Sequence, residues 1–105
     1  MRSIEFHILL ALASEERHGY AILQEIAALT GGEMQLEPGT LYRALHRMLK
    51  DGWVAESARR PAADLDDERR RYYRATPLGA AVLAAETERM AALLGAARAK
   101  RVRAR

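Results

Sequence analysis

At 105 residues, half of them hydrophobic, the chain is long enough for one domain with a small core, and a domain of that size gains from burial against a second copy. Seventeen Lys and Arg against fourteen Asp and Glu leave a net charge of +3 and a pI of about 9.7, a mildly basic balance that permits a polyanionic partner without demanding one. The absence of cysteine excludes zinc fingers and thiolate metal sites and fits a reducing compartment. No apolar run reaches the roughly 18 residues of a membrane span, and Glu5 and His7 interrupt any signal-peptide pattern, so a cytoplasmic protein is expected.

Residues Ser3 to Ala13 read as a first helix, with Ser3 as its cap and Glu5 a favourable charge in its first turn. Ile4, Ile8 and Leu12 make one apolar stripe and Phe6, Leu10 and Ala13 a second, which implies burial on more than one side. One side faces the core; the other faces either a partner chain, through Ile8 and Leu12, or simply more of a small core. Ser14 to Gly19 read as a polar loop. A second helix follows from Tyr20 to Thr30, with Ile22, Leu23, Ile26 and Leu29 inward, and Gly31-Gly32 ends it. Gly19 lets the backbone come close to something, and a helix N-terminus is a natural phosphate site. Tyr20 either donates its hydroxyl to that phosphate or packs over the loop.

Met34-Gln35-Leu36 alternates as a very short strand would. Pro38 then suits the first position of a third helix, and Gly52 suits the left-handed position just past its end. Leu41, Leu45, Met48 and Leu49 form its apolar stripe. Its other side carries Thr40, Arg43, His46, Arg47 and Lys50, with Tyr42 at the N-terminal border. Such a helix can lie in a DNA major groove, or it is a solvated surface helix. Trp53 to Ala58 read as a strand, Arg59 to Glu68 as a loop, and Arg69 to Ala75 as the returning strand, with Tyr72 and Tyr73 on opposite faces. Three helices followed by a hairpin is the winged-helix order.

Thr76 caps a last helix and Pro77 takes its first turn. It runs to about Ala99, roughly 35 Å long. Leu83, Met90, Leu93, Leu94 and Ala97 form a seam that a second copy of the same helix would cover. The basic tail, Arg98 to Arg105, is either solvated or a secondary phosphate contact. The expected fold is therefore mainly α with a small β-hairpin. A winged helix-turn-helix over residues 1–76 would be followed, over 77–105, by a long C-terminal dimerisation helix and basic tail.

Catalytic constellations are missing. His7, His18 and His46 fall on three different elements with no metal-binding spacing, and the acids Asp64, Asp66, Asp67 and Glu68 lack the pattern of a calcium loop. Gly31-Gly32 is not followed by the Lys-Ser or Lys-Thr of a phosphate loop, and no serine sits in a nucleophile motif. Neither an enzyme nor a metal or other cofactor is expected.

Pro38-Gly39-Thr40-Leu41-Tyr42-Arg43-Ala44-Leu45, preceded by His18-Gly19-Tyr20 and followed by Tyr72-Tyr73-Arg74-Ala75-Thr76-Pro77-Leu78-Gly79, resembles the PadR family of transcriptional regulators from about Ile4 to the end of the chain. The resemblance implies a dimeric winged-helix regulator, usually a repressor, which in some members releases DNA on binding a small aromatic or drug-like molecule. It implies that Pro38 to Tyr42 open the recognition helix, with Arg43 and Arg47 on its exposed side. Gly19 and Tyr20 would belong to a DNA-contacting turn, and the last helix would dimerise. Two positions depart from the family pattern: Glu37 stands where a small hydroxyl residue is common, and Asp64 to Glu68 make an acidic wing tip that a DNA backbone repels. Wing contacts are accordingly expected from Arg59, Arg60 and Arg69 to Arg71 at its base, not its tip. Thr40, Arg43, His46 and Arg47 are expected near bases, and Tyr20, Tyr42, Lys50 and the wing arginines on phosphates. The rival readings are a winged-helix protein-interaction module without DNA binding, which would need an apolar third-helix face, and a small-molecule carrier or enzyme using a cavity lined by Trp53.

Overall fold

The computed structural model describes residues 1–58 and 71–100. Their order is α1 (Ser3–Leu12), β1 (Arg17–His18), α2 (Gly19–Leu29), α3 (Pro38–Lys50), β2 (Val54–Glu56), β3 (Tyr72–Ala75) and α4 (Pro77–Ala99). The molecule is mainly helical with one small antiparallel sheet, a winged helix followed by a long C-terminal helix. None of the described helices is long and apolar enough to cross a membrane.

Local chemistry sets the helix ends. Gly31 and Gly32, both at positive φ, close α2: Gly32 N–H reaches Ala27 O at 2.7 Å and Gly31 N–H reaches Ala28 O at 3.3 Å. α3 ends the same way, with Gly52 at φ 77° and Trp53 N–H on Met48 O at 2.9 Å. In both, the left-handed glycine turns the chain so that the last carbonyls find donors. α4 begins as expected, Thr76 Oγ1 accepting Gly79 N–H at 3.0 Å with Pro77 in the first turn. At α1 the cap is Arg2 rather than Ser3, and Glu5 Oε1 accepts the Arg2 N–H at 3.0 Å. Glu37 occupies the cap position of α3, but its side chain makes no capping bond; only its carbonyl does, accepting Leu41 N–H.

The sheet differs from the expected hairpin by one strand. β3 is central, in the order β1-β3-β2, with Arg17 opposite Tyr73 and His18 opposite Tyr72 on one side. On the other side Val54 pairs with Ala75 and Glu56 with Tyr73. The extra strand comes from the segment read as a polar loop. Met34 to Leu36, read as a strand, is irregular; the Thr30 hydroxyl takes the Met34 N–H at 3.0 Å, so that donor is not offered to a ladder.

The core lies between the three N-terminal helices and the sheet. Ile8, Leu9 and Leu12 from α1 meet Ile22 and Ile26 from α2, and Leu41, Leu45 and Met48 from α3; Val54 and Tyr73 close it from the sheet. Ile8 and Leu12 are thus wholly occupied inside their own chain, at 0% and 4% exposure, which corrects their expected place at a partner surface. α4 docks only by its first turns. Gly79 is buried, and Val82 and Leu83 pack against the core; Met90, Leu93 and Leu94 are exposed. The described residues accordingly span 56 × 28 × 21 Å.

Candidate functional site

α3 has a core side and a polar side, as its stripe requires. Arg43, His46 and Lys50 are exposed, and their three- and four-residue spacing puts them in one row. Arg43 Nη2 donates to Thr40 Oγ1 at 3.3 Å, which lays the arginine along the first turn. A side chain at Gly39 would press on Arg43 Nη1 at 3.3 Å, so the glycine leaves that course open. Pro38 and Gly39 are themselves exposed at the helix start.

The starts of α2 and α3 are brought together by one close approach. Gly19 is buried, and a Cβ built on it would fall 2.8 Å from Tyr42 Cζ and closer still to the Tyr42 hydroxyl oxygen. The ring of Tyr42 therefore lies against the first residue of α2, and only glycine allows it. His18 caps the same terminus, its Nδ1 accepting Ala21 N–H at 3.1 Å, while its ring meets Tyr72 edge to face with centroids 5.4 Å apart. Tyr20, the next residue of α2, stands 61% exposed beside them. Gly19→Ala is expected to displace Tyr42 and cost about 1–2 kcal/mol, since the neighbour is a side chain that can turn aside. Urea unfolding should show the loss, and an unchanged midpoint would mean that Tyr42 does not need this space.

Arg47 is not in the exposed row. It is half-buried, with Nε 4.0 Å from Oε2 of Glu5, a residue 6% exposed. Buried Arg47 Nε has no hydrogen-bond partner. In the sequence, the only sign of this pairing is a carboxylate inside a helix that is apolar on several sides. Arg59, Arg60 and Arg69 lie outside the described residues. Arg71, at the base of the wing, donates to Glu56 Oε1 at 3.2 Å.

Of the residues expected at a dimer seam, Met90, Leu93 and Leu94 form an exposed apolar group on α4, Ala97 is half-buried, and Leu83 leans on the core. Arg89, donating to both carboxylate oxygens of Glu86 at 2.7 and 2.8 Å, holds that carboxyl below its ordinary pKa. Among the described residues no three His, Asp or Glu converge as a metal site requires.

The family described as "Transcriptional regulator PadR-like family" matches residues 8–85. A Mycobacterium tuberculosis protein named Transcriptional regulator Rv3488 is 40% identical over 81 residues, 77% of this chain and 69% of that one. Among solved structures, a transcriptional regulator from Clostridium thermocellum superposes with a TM-score of 0.74 at 27% identity, covering 95% of this chain and 90% of that chain. A PadR family transcription regulator from Clostridium difficile shares the fold with a TM-score of 0.75 at 22% identity, covering 96% and 100%. So does Bacillus subtilis PadR in complex with operator DNA, with a TM-score of 0.70 at 21% identity over 83% of this chain and 48% of that chain.

Proposed function

Because the chain belongs to the PadR-like family of transcriptional regulators, a family of regulators and not of enzymes, we propose that it is a cytoplasmic homodimeric repressor. It binds a double-stranded operator and leaves it when a small aromatic or drug-like molecule binds. The observation that carries this reading is the basic row Arg43, His46 and Lys50 on α3, set beside the exposed Tyr20 at the start of α2. A row of that kind fits a major groove, and a neighbouring helix N-terminus suits phosphate. The face is basic rather than apolar, which weighs against a module that docks only on protein. The complex of Bacillus subtilis PadR, a protein with the same fold, with operator DNA is consistent with this use of it.

In this reading Thr40, Arg43 and His46 approach base edges. Gly19, Tyr20, Tyr42, Lys50 and the wing-base arginines Arg59, Arg60 and Arg69 follow the backbone. Residues 77–105 act as the dimerisation arm of a DNA-binding unit over 1–76. A two-fold protein presents two α3 helices, so the operator is an inverted repeat with half-sites about one helical turn, roughly 10 bp, apart or a multiple of it. Selection of bound sequences from random duplex DNA tests this; recovered sites without a dyad would contradict it. The single tryptophan, Trp53, is a built-in reporter for effector binding, read as quenching that coincides with release of the duplex.

Arg43→Ala is expected to cost about 1–3 kcal/mol on the selected operator and to relax base preference at the position it reads. Lys50→Ala should weaken operator and scrambled duplex alike and lower the log–log salt slope by about 0.9. Binding to both duplexes at several salt concentrations separates the two. Equal losses for Arg43→Ala on both duplexes would make it a phosphate clamp.

A further inference from the structure

We propose that Glu5 is a positioning residue for DNA recognition: it holds Arg47 at the flank of α3, so that base reading falls to Arg43 and His46 and Arg47 meets only phosphate. The proposal rests on the DNA-binding reading above.

Glu5 belongs to a helix that otherwise buries Ile8, Leu9, Ala11 and Leu12, and a carboxylate in that setting is costly unless something compensates it. Part of the compensation is local. Oε1 accepts the Arg2 N–H at 3.0 Å, and the first turn of a helix favours negative charge. A neutral glutamine oxygen would serve that hydrogen bond as well. The full charge has a second counterpart, the Arg47 guanidinium, 4.0 Å from the other oxygen.

The pairing is electrostatic rather than hydrogen-bonded. Arg47 Nε is buried and donates to nothing, while the Arg47 side chain as a whole keeps 39% of its exposure. The Nε end is thus drawn toward α1 and another part of the side chain remains in solvent. A buried orphan donor is rare, and here it marks an arginine held by charge without a directional bond to satisfy it. Arg43, one turn earlier, meets the neutral Thr40 hydroxyl instead. Two arginines spaced for the same face of α3 are therefore treated differently by the fold. One extends along the exposed row, and the other is pulled round toward the α1 side. An arginine so held cannot also extend its planar fork squarely at a base pair, which bidentate reading needs. Its exposed end can still meet a backbone that passes along the flank.

The test replaces Glu5 with Gln, which keeps an acceptor for the Arg2 N–H and removes only the charge. Full-length wild type, Glu5→Gln, Arg47→Ala and the double variant are titrated with the selected operator and with a scrambled duplex over a range of salt. Glu5→Gln should bind the scrambled duplex about three- to tenfold more tightly and narrow the operator preference by a similar factor, with the salt slope unchanged because Arg47 meets one phosphate in either protein. Adding Arg47→Ala should abolish those changes, and Arg47→Ala alone should lose the same factor on both duplexes. A folded Glu5→Gln protein with unaltered affinity for the scrambled duplex and unaltered preference overturns the proposal, as does an effect that survives in the Arg47→Ala background. Should Glu5→Gln fail to fold, Arg47→Ala decides: a loss confined to the operator makes Arg47 a base reader and overturns it.

A readout without DNA completes the set. The Arg47 Nε–H resonance of the wild type should exchange slowly with water, and that protection should vanish in Glu5→Gln. Failure of wild type to bind any duplex would sink the DNA reading itself. That result is distinct from a restraint on Arg47 whose removal changes nothing.

Discussion

Gly79→Ala should destabilise the fold by about 3 kcal/mol, the upper part of the range for forcing extra atoms into a packed site. Gly79 is where α4 meets the rest of the molecule. A Cβ there would lie 2.9 Å from the Trp53 carbonyl carbon, closer still to its oxygen, and 3.2 Å from Leu9 Cδ2. Leu9 can turn; the carbonyl cannot easily. It already accepts the Thr76 N–H at 3.0 Å, and the Thr76 hydroxyl, which caps α4, donates to the adjoining Gly52 carbonyl at 2.5 Å. Moving the peptide aside would loosen the cap and the end of the β2–β3 ladder together. Gly95→Ala is the control, because it lies in the same helix with nothing within 4 Å of the added atom. It should stabilise by roughly 0.5–1 kcal/mol through helix propensity alone. Urea unfolding followed by circular dichroism measures both. An unshifted midpoint for Gly79→Ala would mean that α4 is not seated against the Trp53 carbonyl.

Leu93→Glu combined with Leu94→Glu should convert a dimer to a monomer and reduce operator affinity by about 10²–10⁴-fold. The loss arises because the second half-site is then bound as an independent event instead of a tethered one. Both leucines are more than half exposed in the single chain, so their replacement removes nothing from its core. Facing a second copy, four carboxylates would be brought together in an apolar seam, which is unfavourable unless they protonate. Sedimentation should fall from twice the 11.7 kDa chain mass to one. A dimer that survives with its affinity intact would place the interface elsewhere on the molecule.

The sequence was most informative where structure is dictated by neighbouring residues. Pro38 and Gly52 bound α3, Gly31-Gly32 end α2, and Thr76-Pro77 open α4, because capping and left-handed turns depend on a few adjacent positions. It was least informative where distant segments meet. Arg17 and His18 carry no alternating pattern; they are a strand because Tyr72 and Tyr73 return to them. Met34 to Leu36 do alternate, yet the Thr30 hydroxyl engages the Met34 N–H. The apolar pattern of α1 shows burial on several sides but not which body supplies it, and for Ile8 and Leu12 that body is the chain's own core. The candidate site divides in the same way. Helical spacing along α3 placed Arg43, His46 and Lys50 on one exposed row. It also placed Arg47 there, because the carboxylate that draws Arg47 back belongs to a different helix.

The order of the strands has a bearing on how the molecule is made. Both edges of the sheet are synthesised before the strand they share. Arg17–His18 and Val54–Glu56 have no contact with each other in the ladder; each pairs only with Tyr72–Ala75. A growing chain that stops short of Tyr72 can collapse its three helices but has no sheet, and the core still lacks the Tyr73 ring. Closing the ladder joins residue 17 to residue 73, a long loop whose entropy must be overcome before the pairing returns anything. Pairing with β3 is therefore expected to form later than the local contacts within the helices. Until β3 has been made, residues 17–18 and 54–56 lack the strand they pair with and stand open to other chains.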